Sequence, residues 1–327
     1  MKKIFQIIII AVFIFIIVWV LVKKTEQPHI VVINASSENF SSAYPIVLVH
    51  GWMGKAVDFS DYALELQEDG VAVYKGALDR HSNESICPEK WPEAVSVSAE
   101  YYTEQNKNHG IEDYAKELEP IIDLTLHCTD SDQVILLAHS MGGLVSRQYM
   151  AETGAGHVKK LITLASPHYG FNEFTKSEII LMILDIFTGR EYEIEQMKPN
   201  SEFLNELDKA DLEYREKIVS IGTYNLDNDT LLFDMPVLTD EMRDYQKKYF
   251  SNTDIIVPLD STKLLGAEYY QVKGCTHTQI INFKSEPGKG PINNAKACPE
   301  AYDLVEKEIA RLSKKIIITY SISPASS

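Results

Sequence analysis

Ser140 is the residue around which nucleophilic chemistry can be built. It stands in Ala138-His139-Ser140-Met141-Gly142-Gly143, directly after the apolar run Val134 to Leu137 and at the start of a helix-like segment. A serine on a sharp turn between a strand and a helix has its hydroxyl lifted clear of the sheet, the arrangement called a nucleophile elbow. Small neighbours answer a steric demand there. The serine adopts a strained backbone, and side chains two residues away would collide in so tight a turn. Here the pattern is A-x-S-x-G, with Ala138 where a glycine is usual. The competing reading is a serine at an ordinary helix start, since short motifs recur by chance.

Chain order sharpens the choice. An elbow of this kind takes its acid, and then its histidine, from downstream. Beyond His168 the sequence holds a single histidine, His277, which follows the strand-like Tyr269 to Val272 and Gly274. An imidazole is suited to take the serine proton and return it near neutral pH. Asp254, in the segment Ser251-Asn252-Thr253-Asp254-Ile255-Ile256-Val257-Pro258, is the expected acid and would hold the imidazole in its working tautomer. Asp260 and Asp227 are its rivals, and a turn or capping aspartate is the structural alternative.

Charge that develops on a tetrahedral intermediate needs preorganised donors, usually backbone N–H groups. One is expected from Met141, directly after the nucleophile. The other is expected from the loop after the buried-strand run Ile46 to Val49, most directly from Trp52 in His50-Gly51-Trp52-Met53-Gly54. His50 and His139 fail the chain-order rule as catalytic bases and read as residues that shape their turns.

The blocks Pro45 to Gly51, Ala138 to Gly143 and Leu161 to Gly170 together resemble the bacterial-type lipases of the α/β-hydrolase superfamily. Pro199 to Leu204 and the N-T-D-I-I-V-P segment are similar to further blocks of those lipases. The resemblance covers roughly residues 44 to 312, in scattered stretches. It implies ester hydrolysis through an acyl-enzyme, with Ser140, Asp254 and His277 in the matching positions, and transfers no substrate; a lipid or other small acyl ester is the substrate expected of such a hydrolase. An acyltransferase on the same scaffold, or a catalytically idle binding protein that kept the fold, are the alternatives. In a lipase, the stretch from Gly170 to Lys217 is where a lid would sit; a helix packed permanently on the core is the other reading.

Composition limits the partners. The formal net charge is −16, and residues 1–24 hold four lysines and no acids, so the remainder stands at −20. So acidic a body is a poor match for nucleic acid and is repelled by anionic lipid surfaces. No metal-ligand spacing and no glycine-rich phosphate loop stand out, so no cofactor is expected. Ile4 to Val22 forms 19 almost uninterrupted apolar positions, long enough to span a bilayer core as a helix. It reads as a transmembrane anchor in preference to a cleaved signal. The α-amino group and Glu26 tilt the orientation toward a catalytic domain outside the cytoplasm. Cys87, Cys128, Cys275 and Cys298 allow three pairings. Export favours disulfides, of which Cys275–Cys298 would pin the loop of His277; four reduced thiols are the alternative.

These features lead to an organisation of anchor or signal (1–24), polar linker (25–42) and catalytic domain (43–320), with 170–216 as the lid candidate. Strand-like runs at 46–49, 134–138, 161–165, 217–224 and 269–272 alternate with helical patterns near 59–68, 111–122, 143–152 and 299–312. Asp58 is the expected N-cap of the first of these helices. The alternation implies a mainly parallel central sheet covered by helices on both faces. Residues 71–126 give no single clean reading, although Val95 and Val97 alternate with serines as a strand would, and Ile316 to Ile318 reads as a last strand.

Overall fold

The structure, a computed structural model, describes residues 40–52, 54–101, 109–170, 191–224, 254, 256–277, 279–281 and 298–313. The chain divides into two units, Met1–Asn34 and Ala35–Ser327, and every described residue lies in the second. The expected anchor therefore lies outside the described residues, as do the expected last strand at 316–318 and the lid residues 171–190. Among the described residues no helix is long and apolar enough to cross a membrane.

Seven strands are described: β1 (Ile46–Val49), β2 (Val73–Asp79), β3 (Val95–Glu100), β4 (Val134–His139), β5 (Val158–Leu164), β6 (Ile218–Tyr224) and β7 (Glu268–Lys273). They form one sheet in the order β2-β3-β1-β4-β5-β6-β7, and every pairing is parallel. Parallel neighbours cannot be joined by tight hairpins, so helices must carry the crossovers. These are α1 (Ser60–Glu68), α2 (Ile111–Thr129), α3 (Met141–Thr153), α4 (Glu191–Gln196), α5 (Glu202–Ala210), α6 (Leu259–Thr262) and α7 (Pro299–Ser313).

Strand β1 is apolar at every position, and β4 at every position but its last, His139, because both faces are covered. On one face Val47, Val49, Leu136, Ala138 and Leu161 pack with Leu118 and Ile122 of α2 and Leu144 of α3. On the other, Ile46, Leu48, Leu137, Ile162 and Val219 pack with Tyr62 and Leu66 of α1 and Val305 and Ile309 of α7. The period of two along each strand thus sorts alternate residues to opposite helical layers.

The structure corrects one expectation and fills one gap. Asp58 does not cap α1. A 3-10 turn, Ala56–Phe59, intervenes, and the Asp58 carboxylate accepts from the Lys55 backbone N–H at 3.0 Å, at the start of that turn. Residues 73–79 form a strand that the sequence left open. As a sheet-edge strand β2 exposes Lys75 and Ala77, so no continuous apolar run marks it. Within the lid candidate, Met197, Leu204 and Leu207 are buried in the layer of α2 and α3.

Both disulfides form: Cys87 with Cys128, and Cys275 with Cys298. The first ties the loop after β2 to the end of α2; the second lies two residues before His277.

Candidate active site

The elbow is built at the C-terminal end of β4, where Ser140 leaves the sheet and α3 begins. Ser140 has φ 54° and ψ −128°, a conformation that costs free energy for a non-glycine residue. Its backbone N–H donates to Leu164 O at 2.9 Å and its carbonyl accepts from Gly143 N–H at 3.0 Å, which holds the strained turn from both sides. Gly142 explains the motif. A Cβ there would lie 2.5 Å from Val49 O and closer still to His50 O, so α3 can start this close to β1 only without a side chain. Gly51 is similarly constrained, since a Cβ would sit 2.9 Å from Ser140 Cβ. The loop after β1 thus lies directly against the serine.

Ser140 meets His277, 137 positions downstream, and Asp254, which lies 23 positions before that histidine. The Ser140 hydroxyl donates to His277 Nε2 at 2.9 Å, and His277 Nδ1–H donates to Asp254 Oδ2 at 2.7 Å. Asp254 is fully buried. Its other oxygen, Oδ1, accepts from the backbone N–H groups of Ile256 at 2.9 Å and Val257 at 2.6 Å. A backbone bond from His277 N–H to Asp254 O at 2.9 Å ties the two loops. Because Asp254 offers only acceptors, it fixes the proton on Nδ1 and leaves Nε2 free to take one from serine. The rivals fall away from this cluster. Asp260 is exposed on α6, and Asp227 lies outside the described residues.

His139, directly before Ser140, has a role beyond its turn. Its Nε2–H donates to the backbone carbonyl of His277 at 2.8 Å, with the two rings 4.7 Å apart. Burial, and then the neighbouring His277 and His50, hold its titration well below that of an ordinary histidine, so it stays a neutral donor. His50 is stacked on Tyr101 at 4.4 Å, and its Nδ1–H donates to Gly51 O at 2.9 Å. The Tyr101 hydroxyl, which burial pushes well above the usual range, donates to His50 O.

Of the two expected oxyanion donors, Met141 is the first residue of α3, so its N–H has no intrahelical acceptor. Trp52 follows Gly51 in the loop facing Ser140. Its indole Nε1–H donates to Glu193 Oε2 at 2.5 Å, a contact the sequence did not suggest. Glu193 sits in an acidic stretch with Glu191 and Glu195, yet it is completely buried.

His168 belongs to a separate buried network. Arg147 of α3 pairs with Asp211 through Nε at 2.5 Å and Nη2 at 3.2 Å, and Arg215 Nη2 reaches Asp211 at 2.9 Å. Burial, and then these two arginines, keep His168 neutral, and it contacts Thr163 Oγ1 at 3.1 Å. The network anchors α3 to the turn before β6. Among the described residues no group of three or more His, Cys, Asp or Glu is placed to hold a metal ion.

A family model described as palmitoyl protein thioesterase matches residues 45–264, a span that holds Ser140 and Asp254 and ends before His277. No curated protein matches the chain. Among solved structures, the mature lipase of Bacillus licheniformis aligns at 16% identity and a TM-score of 0.51, over 74% of this chain and 87% of that one. A gene product of Listeria innocua aligns at 16% identity and a TM-score of 0.51, covering 81% and 94%. A carboxyl esterase from a metagenome aligns at 13% identity and a TM-score of 0.50, covering 87% and 78%. At such identities the likeness is one of fold, here the α/β-hydrolase fold of lipases and esterases. The family match, which takes in the elbow, the loop of Trp52 and Asp254 in one span, places the chain more narrowly: it belongs to the palmitoyl protein thioesterase family.

Proposed function

We propose that the protein is a serine hydrolase that cleaves acyl esters, thioesters among them, through an acyl-enzyme. The observation that carries this reading is the continuous hydrogen-bond chain from Ser140 through His277 to Asp254. In the first half-reaction Ser140 Oγ attacks the acyl carbonyl while His277 Nε2 takes its proton. The N–H groups of Met141 and Trp52 hold the oxyanion. The tetrahedral intermediate collapses to the acyl-serine, and His277 returns the proton to the leaving alcohol or thiol. Water then repeats the sequence on the acyl-serine and releases the acid.

Family membership brings S-acyl esters into the substrate class beside the O-esters that the lipase-like motifs suggest. A thiol leaves as a weaker base than an alcohol and depends less on proton delivery. Two disulfides with no free cysteine support an oxidising compartment, consistent with a catalytic domain held outside the cytoplasm by the apolar segment 4–22.

The test is turnover of a short p-nitrophenyl ester and of a palmitoyl thioester by the wild type and by Ser140→Ala. Loss of both activities in a folded variant is expected. Retained activity would remove Ser140 as the nucleophile and the mechanism with it.

A further inference from the structure

Trp52 N–H belongs to the Gly51–Trp52 peptide, and glycine on one side leaves the orientation of that peptide soft. The structure restrains it from two ends. Gly51 O accepts from Gly54 N–H at 3.0 Å and from His50 Nδ1–H at 2.9 Å. Because a trans peptide is planar, holding its carbonyl points its N–H the opposite way. The far end of Trp52 is held by Glu193, whose second oxygen accepts from the Tyr114 hydroxyl. Burial, and then Glu193 itself, push the titration of that hydroxyl far upward, so it remains a donor. Tyr114 meets Tyr101 edge-on at 6.0 Å, and Tyr101 in turn holds His50 O. A fully buried carboxylate is costly unless its bonds are well formed. Here both oxygens are engaged by donors from two other elements, one of them the loop that faces the nucleophile.

We infer that Glu193 is a positioning residue for the oxyanion hole. By gripping the indole of Trp52 it sets the loop whose N–H receives the developing charge, and it couples that loop to α4. The same helix reaches a second target: Gln196 Oε1 accepts from Ile111 N–H at 2.8 Å and so caps α2, whose own cap, Gly110, has no side chain to offer. Helix α4 is therefore fastened to the first turn of α2 as well as to the oxyanion loop, and any displacement of α4 is transmitted to Trp52. This inference rests on the proposed acyl-enzyme mechanism.

Glu193→Leu removes the carboxylate to which the indole and the Tyr114 hydroxyl donate. The expected effect is a fall in kcat for the p-nitrophenyl ester of roughly 10- to 100-fold, since small misplacements of a catalytic donor have effects of that size. KM should change little. The affinity of a trifluoromethyl ketone, which forms a tetrahedral adduct, should fall in parallel with kcat. Glu193→Gln, which keeps an acceptor for the indole, should restore most of both. Trp52→Phe should lower kcat similarly, and combining it with Glu193→Leu should add little, because both remove one contact. Wild-type kcat and wild-type ketone affinity in a folded Glu193→Leu variant would overturn the inference. So would a loss that appears as a drop in thermal stability with kcat intact, or additive losses in the double variant. If Glu193→Leu is neutral while Ser140→Ala is dead, the coupling alone fails; an active Ser140→Ala removes the underlying mechanism instead.

Discussion

Replacing Asp254 by asparagine tests the proton chain with the least change in shape. The amide must choose an orientation. If its oxygen stays on the Ile256 and Val257 N–H groups, now 2.9 and 2.6 Å from Oδ1, its NH2 faces His277 Nδ1 in place of the acceptor oxygen that stood 2.7 Å away. Nδ1 must then accept, the ring proton moves to Nε2, and His277 cannot take the proton of Ser140. The flipped amide would restore the working tautomer but set an NH2 against two N–H donors, one buried at Val257 and one part-buried at Ile256. Each unpaired N–H costs about 1–3 kcal/mol, so the flip is disfavoured by about 2–6 kcal/mol. A barrier increase near the upper part of that range corresponds to a loss of about 10⁴ in kcat, at 1.36 kcal/mol per tenfold. Asp254→Asn should therefore be folded, with an unchanged circular dichroism spectrum, and slower by about 10³- to 10⁴-fold in steady-state ester turnover. Labelling by a fluorophosphonate should slow in proportion. Activity within tenfold of the wild type would refute the assignment of Asp254 as the residue that sets the tautomer.

Three further outcomes follow from the same geometry. Gly142→Ala drives a Cβ into the Val49 and His50 carbonyls, and overpacking of this kind costs about 1–3 kcal/mol or more; calorimetry should show a lower Tm together with lost activity, and an unchanged Tm would contradict the packing argument. The disulfides close segments with sequence separations of 23 and 41, worth about 3.4 and 3.9 kcal/mol in the chain-entropy model. Removing either by paired serine substitutions should lower denaturant stability comparably, but the Cys275–Cys298 variant should lose more ester turnover, because its loop carries His277. Acid stability should respond to His139 and His168, both held below the ordinary histidine range when folded. Below pH 6.5 the unfolded chain binds protons that these folded rings refuse, so stability falls as pH drops from 6.5 toward their folded values, by up to about 2.7 kcal/mol per pH unit for the two together. Urea unfolding at pH 7, 6 and 5 measures this, and His168→Asn, if it folds, should flatten part of the slope.

The sequence makes the candidate cluster unusually readable because histidine is so scarce downstream of Ser140. Ser140 and His277 follow from motif and order alone. Asp254 needed a choice among three aspartates, which the bond to His277 Nδ1 resolves. The buried runs of β1, β4 and the second half of β5 are visible because strand segments covered on both faces are largely apolar. Strand β2 is hidden for the opposite reason: at the sheet edge it carries Lys75 and Gly76, and its pairing, rather than its composition, makes it a strand. Glu193 was invisible for a deeper reason. Nothing local distinguishes it from Glu195, and its burial comes entirely from where α4 lands against Trp52 and Tyr114. The cysteine pattern permitted three pairings, and only the meeting of α2 with the loop after β2, and of α7 with the loop after β7, selects two bonds.

The most direct measurement of the central claim is intact-protein mass spectrometry after rapid acid quench during turnover of a palmitoyl thioester, followed by peptide mapping. A mass increase of one acyl group, located on Ser140 and absent in Ser140→Ala, is the predicted result. Hydrolysis proceeding at full rate with no acyl adduct on Ser140, or with the adduct on another residue, would contradict it.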